Sequence, residues 1–214
     1  MPKAIKPRSR AEQKEYKRRR LRDAAWELFL EQGYDATTTK QIAERAGVAT
    51  GTLFLYARDK PDLLFLVLHE RLSAAVDEGL ETLPREAGLV DQLVHLFAGF
   101  FRTYEAAPEI GRHFIMEMPG ADGPNAQRVN ALTMGLLGQI AGLVQLAQAR
   151  GEVTAEADPL LFAQVAFSLY YTGLLAWLSG YASLESAVPR LRAALSVAFY
   201  GIAKRREPSQ PSKP

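Results

Sequence analysis

KQIAERAGVATGTLFLYARDK, residues 40–60, is the stretch whose reading decides the fold. Ile42, Ala46, Val48, Leu53 and Tyr56 are spaced to point into one small shared core. Ala43 is small where two helices would cross, and Gly47 stands where the chain must turn left-handed. Each helix is too short to hold alone, so the core between them must hold both. The arrangement is that of a helix-turn-helix, in which the first helix braces and the second is presented outward.

Caps frame this unit on both sides. Thr38-Thr39-Lys40-Gln41 is a capping box, with the glutamine at the third helical position. Upstream, Ser9-Arg10-Ala11-Glu12 is another. It starts a helix whose apolar positions Leu21, Ala24, Ala25, Leu28 and Phe29 follow helical spacing up to a stop at Gly33. The first half of that helix has no apolar stripe, so Lys14, Lys17, Arg18, Arg19 and Arg20 must face water or a partner. The second helix of the pair is expected over about Thr50–Tyr56. Downstream, Asp59 caps a longer helix with Pro61 in its first turn, and Leu63, Leu64, Val67, Leu68 and Leu72 carry it toward Leu80. Further helices read at about 89–106, 109–118, 125–150, 158–181 and 186–205, with Pro189 marking a start or a bend in the last. No alternation of the β type stands out. The expected fold is all-α. Residues 1–62 form a three-helix domain with a basic amino-terminal arm, 63–206 a larger helical domain, and 207–214, EPSQPSKP after Arg206, a disordered tail.

Charge is unevenly placed. Residues 1–62 carry 14 Lys/Arg against 9 Asp/Glu, and residues 63–214 carry 12 against 15. A basic front on a near-neutral body suits a polyanion, against the plainer reading of a solvated tail. The chain has no cysteine, which excludes disulfide and thiol chemistry and fits a reducing compartment. Met1–Arg20 lacks the apolar core of a signal peptide, so a cytoplasmic protein is expected. Residues 129–149 and 159–184 are uncharged and as long as a membrane span. Their polar residues, Gln139, Gln145 and Gln148 in one and Gln164, Ser168 and Thr172 in the other, instead suit helices buried between protein surfaces, and no membrane partner is expected.

The groups after the bend suit nucleic acid. Gly51 lets the backbone approach closely, and the hydroxyls of Thr50 and Thr52 can reach phosphates or base edges. Tyr56 and Lys60 lie where a phosphate could be held. The run GYDATTTKQIAERAGVATGTLFLYARDKPDLL, within residues 18–64, resembles the amino-terminal signature of TetR-type transcriptional regulators. The resemblance implies three DNA-binding helices followed by a helical domain that binds a small ligand and dimerises. It places operator contacts on Thr38, Thr39, Lys40, Thr50, Gly51, Thr52, Phe54, Leu55, Tyr56 and Lys60. Three positions depart from the usual pattern. Ala49 stands where Ser or Thr commonly caps, Phe54 where Tyr is common, and Ala57 where Phe is common.

Beyond Leu72 the resemblance is one of architecture. Phe97, Phe101, Tyr104, Met116, Met134, Phe167, Tyr170 and Trp177 are the candidate walls of an effector pocket, with Arg112 and His113 as its polar contacts. The same residues also suit an ordinary core. Phe162, Leu174, Leu191, Leu195, Ala198 and Ile202, on the last two long helices, are the candidate dimer interface. Gly138 and Gly142 permit close helix packing. Neither an enzyme motif nor a metal-ligand spacing is present, so no catalytic residue, metal or cofactor is expected. The reading is a cytoplasmic, homodimeric regulator of a double-stranded operator, released by a small, mostly apolar effector. The rivals are a non-specific architectural DNA-binding protein and a helical carrier of apolar molecules.

Overall fold

The computed structural model describes residues 9–200, and among these the chain is all-helical. α1 (Arg10–Gln32), α2 (Thr39–Arg45) and α3 (Thr50–Leu53) form the head. α4 (Lys60–Glu81) runs from the head into the body, which is completed by α5 (Leu89–Glu105), α6 (Pro108–Glu117), α7 (Pro124–Ala149), α8 (Pro159–Leu178) and α9 (Leu184–Tyr200). Ile202 and the 207–214 tail lie outside the described residues.

Local chemistry explains the head. Ser9 and Thr38 each accept from the backbone N–H three residues on, while Glu12 and Gln41 reach back, so both capping boxes are formed. Gly47 has φ 61°, and the Arg20 guanidinium lies so close that a Cβ there would meet it at 2.4 Å. The turn therefore requires glycine for its backbone, while the flexible Arg20 side chain could move aside. Leu21, Ala25, Ile42, Ala43 and Leu53 are fully enclosed, and Ala57 closes the small core. Arg45 clamps α2 to α1 through Glu31 at 2.7 Å and Glu27 at 3.3 Å. α3 is shorter than the 50–56 expectation. Its cap position, Ala49, makes no side-chain hydrogen bond, and residues 54–56 continue as turns.

In the body, α4 packs on α5 and α7, α7 on α8, and α9 on α5 and α8. The two uncharged stretches become α7 and α8, both long and apolar enough to cross a membrane by length and composition, and they pack as parts of this helical domain. Pro189 stands inside α9, which starts at Leu184.

One expectation is corrected by packing. Leu174, Leu191 and Leu195 are buried within a single chain, at 1%, 3% and 0% exposure, because α9 lies against α5 and α8. They belong to the chain's own core. Phe162 is half-buried with its ring edge-on to Phe199, and Ala198 is exposed.

Candidate functional site

The head presents a continuous polar and apolar surface. Thr50 and Gly51 are exposed at the start of α3, Thr52 is half-buried, and among the described residues no hydrogen bond engages the two threonine hydroxyls. Leu55 is 78% exposed and Phe54 50% exposed, so two apolar side chains stand partly open just after the end of α3. Lys40 extends into solvent beside Glu44, and Thr39 is half-buried next to it. The Thr38 hydroxyl is used by its own capping box with Gln41. Tyr56 packs partly into the head core.

Lys60 is placed differently from expectation. Its Nζ donates to the carbonyls of Tyr34 and Asp35 at 3.1 and 3.2 Å and lies 4.4 Å from the centre of the Tyr34 ring. These contacts pin the loop between α1 and α2. Tyr34 is the hub of this corner, with Phe29 on one side and His113 of α6 on the other, ring centroids 5.2 and 4.5 Å away. Burial, with the nearby carboxylates of Glu117, Asp59 and Asp35, raises the Tyr34 phenol far above its ordinary range, and its hydroxyl has no hydrogen-bond partner among the described residues.

The body holds a narrow, partly open cavity of about 50 Å³ between α4, α5, α6, α7 and α8. Its walls include Leu72, Val76, Phe100, Ile115, Met118, Val129, Leu132, Leu136, Phe167 and Leu174. The polar groups in the wall are Thr133 and the phenols of Tyr104, Tyr170 and Tyr171. Burial pushes all three phenols above their usual range, so they stay neutral hydrogen-bonding groups in a lining without formal charge.

Of the expected pocket residues, Tyr104, Phe167 and Tyr170 line this cavity. Phe97 and Phe101 sit behind it, Phe97 stacked on Tyr170 at 4.8 Å and Phe101 edge-on at 5.5 Å, while Trp177 rests on Phe101. Met116 and Met134 are corrected: at 65% and 62% exposure they face away from the cavity. Arg112 is exposed, and His113 lies against Tyr34, 3.9 Å from an Asp35 oxygen, at the head and not at the cavity. The walls contributed by α4 and by Val129–Leu136 of α7 were missed, because leucine and valine at helical spacing carry no signal that separates cavity from core.

A second junction joins head and body. The buried Asp62 carboxylate, at the start of α4, accepts from the backbone N–H of Asn125 at 2.9 Å and of Ala126 at 3.3 Å, and from that of Arg58 at 3.0 Å. The Asn125 side-chain amide donates to Asp62 at 3.0 Å and to the Tyr56 carbonyl at 2.9 Å. Arg18 of α1 donates to the Asn125 side-chain oxygen at 3.4 Å, and Arg58 pairs with Asp122 at the edge. The sequence signal for this cluster is slight: Gly123-Pro124 opens a helix without a capping side chain of its own.

Against known proteins, the family model described as bacterial regulatory proteins, tetR family, matches residues 21–67. The chain is 25% identical over 165 residues to the fatty acid metabolism regulator protein of Bacillus subtilis (strain 168), covering 77% of this chain and 85% of that one. The crystal structure of Thermus thermophilus FadR, a TetR-family transcriptional repressor in complex with lauroyl-CoA, superposes with a TM-score of 0.72 at 23% identity, over 91% of this chain and 100% of that one. A transcriptional regulator FadR from Bacillus subtilis in complex with stearoyl-CoA gives 0.68 at 23% identity, over 86% and 99%. At these identities the two structures speak to the fold.

Proposed function

The chain belongs to the TetR family of bacterial regulatory proteins, and from that premise we propose that it is a homodimeric repressor that holds a palindromic operator and releases it when a long fatty acyl-CoA enters the body. It works in the cytoplasm, where the DNA is. The observation that carries the effector class is the cavity between α4 and α8, whose wall is aliphatic and aromatic with neutral phenols and one threonine. Such a wall suits a hydrocarbon chain and gives a charged or strongly hydrated ligand nothing to pair with. The whole-length relative with a fatty acid regulator's name supports the same class.

The cavity is far smaller than the roughly 300–1,000 Å³ of ordinary ligand sites, at about 50 Å³. An acyl chain must therefore push its helices apart to enter. That displacement is the means by which occupancy is felt outside the pocket. Linkage then requires operator DNA to weaken acyl-CoA binding by the same factor.

The dimer reading rests on α8. Its inner face, Ala163, Ala166, Tyr170, Leu174 and Leu178, is buried in the chain. Its outer face carries Leu161, Val165 and Leu175 at 59%, 41% and 38% exposure, with Ser168 and Thr172 between them. A helix apolar on both faces needs two partners, and a second copy of the same face supplies the outer one. Two heads so paired would read two half-sites one helical turn apart.

The test is calorimetry of the full chain with lauroyl-CoA, stearoyl-CoA, CoA alone and laurate, followed by competition against an operator selected from random duplex DNA. Acyl-CoA is expected to bind, to stabilise the fold by about 2.7 kcal/mol at a hundredfold excess over Kd, and to release the DNA. Equal binding of CoA alone, or no binding of either acyl-CoA, overturns the effector class. A selection without a palindromic consensus overturns the operator reading.

A further inference from the structure

α7, one of the helices that wall the cavity, is clasped to the reading head by hydrogen bonds through Asp62 and Asn125. α7 lines the cavity from Val129 onward, one helical turn, about 6 Å, beyond Asn125. Its first residues are held from outside. The cap position Gly123 has no side chain, and Asp62 of α4 accepts the N–H groups of Asn125 and Ala126 in its place. The same carboxylate accepts the N–H of Arg58, just before α4. One anion thus closes the amino ends of two helices, which favour negative charge there. Asn125 extends the link: its amide donates to Asp62 at 3.0 Å and to the carbonyl of Tyr56, after the end of α3, at 2.9 Å.

We propose that this Asp62–Asn125 clasp is the positioning device that carries cavity opening to the DNA-reading helix. The proposal rests on the effector-released repressor reading above. Asp62 and Asn125 are 2% and 3% exposed. Breaking the clasp would take partners from a buried carboxylate and a part-buried carbonyl, so α7 drags the start of α4 and the turn after α3 with it when it moves. A further contact of body with head, from α6, is the His113 ring tilted by 32° against Tyr34, with a ring nitrogen 3.9 Å from an oxygen of the solvent-exposed Asp35, so it can slide with water taking the place of that polar contact. Direction is therefore transmitted through α7 and not through α6.

The full chain tests this with two variants. Asn125→Ala lies outside the cavity and the DNA-facing surface. It should keep lauroyl-CoA affinity while the weakening of operator binding by lauroyl-CoA, about 5–150-fold for an ordinary coupled system, falls toward none. The reciprocal effect of operator DNA on lauroyl-CoA affinity should vanish with it, a change that mere loss of stability does not produce. Gly123→Ala is the converse. Its Cβ would meet the Asp62 oxygen at 2.3 Å and wedge α7 from α4, so operator affinity should fall at least tenfold with no effector added. This arm decides the clasp if Asn125→Ala fails to fold. It also separates the two readings, because it needs no acyl-CoA: a wild type indifferent to lauroyl-CoA sinks the effector, not the clasp. Unchanged operator affinity in Gly123→Ala, or a wild-type response in folded Asn125→Ala, overturns the proposal.

Discussion

Lys60 shows how a residue's role changes once its neighbours are known. By position it reads as a phosphate ligand, yet its ammonium is spent on two backbone carbonyls and a tyrosine ring. Hydrogen bonds to a charged group contribute more than neutral ones, so Lys60→Ala should cost about 1–2 kcal/mol of stability. The Tyr34 loop it secures leads into α2, so operator affinity should fall as well. The salt dependence of that affinity should stay near the wild-type slope, since the charge removed is not one that neutralises a phosphate. Thermal unfolding with binding measured across a salt series checks this. A slope flattened by about one unit with unchanged stability would return Lys60 to the DNA. Leu55 is the opposite case. Its apolar side chain is 78% exposed, which leaves it open to contact a thymine methyl.

At the scale of elements, two helices are capped by carboxylates from elsewhere in the chain. Gly88 and Gly123 start α5 and α7 without capping side chains. Glu152 accepts the Leu89 N–H at 2.6 Å, and Asp62 serves α7. Neither pair is visible in a window of sequence, because the partners are more than sixty residues apart. α1 is the element whose sequence and structure agree most usefully. Its buried residues start at Leu21, and before them Arg10, Lys14 and Lys17 stand exposed, with Lys14 and Lys17 in line with the apolar stripe that follows. That half of the helix carries its capping box and no apolar stripe, and its exposed cations are candidates for flanking phosphates. Replacing Lys14 and Lys17 by Gln should lower the slope of log affinity against log salt by about 0.9 for each phosphate left without its cation, with folding unaffected. An unchanged slope would mean a merely solvated extension.

At the scale of the whole molecule, α8 has one face buried in the chain and one face open. Val165→Asp places a charge on the outer face, which one chain leaves open. It should give a folded monomer that has lost operator affinity, because two heads are no longer held in register. Leu195→Asp buries an unpaired charge in the chain's own core and should unfold it. Light scattering and circular dichroism on both variants separate these outcomes. A Val165→Asp protein that remains dimeric would place the subunit contact on another face.

The helices, the caps of α1, α2 and α4, the left-handed turn at Gly47 and the short paired helices were legible in the chain because each depends on residues a few positions apart. The same holds for the three departures in the head. Ala49 leaves α3 without a side-chain cap, Phe54 stays exposed, and Ala57 is small enough to be enclosed. What depended on tertiary structure was the assignment of apolar faces and of distant polar partners. Leu174 and Val165 have similar chemistry on one helix, and only the neighbours of α8 decide that one is core and the other open. Met116 and Met134 read as pocket walls because helical spacing cannot say which way a helix is turned in its bundle. Asp62 and Asn125 meet across 63 residues, a pairing that exists only when α4 and α7 have packed. Periodicity is a local property of the chain; which face meets which neighbour is a property of the packed whole.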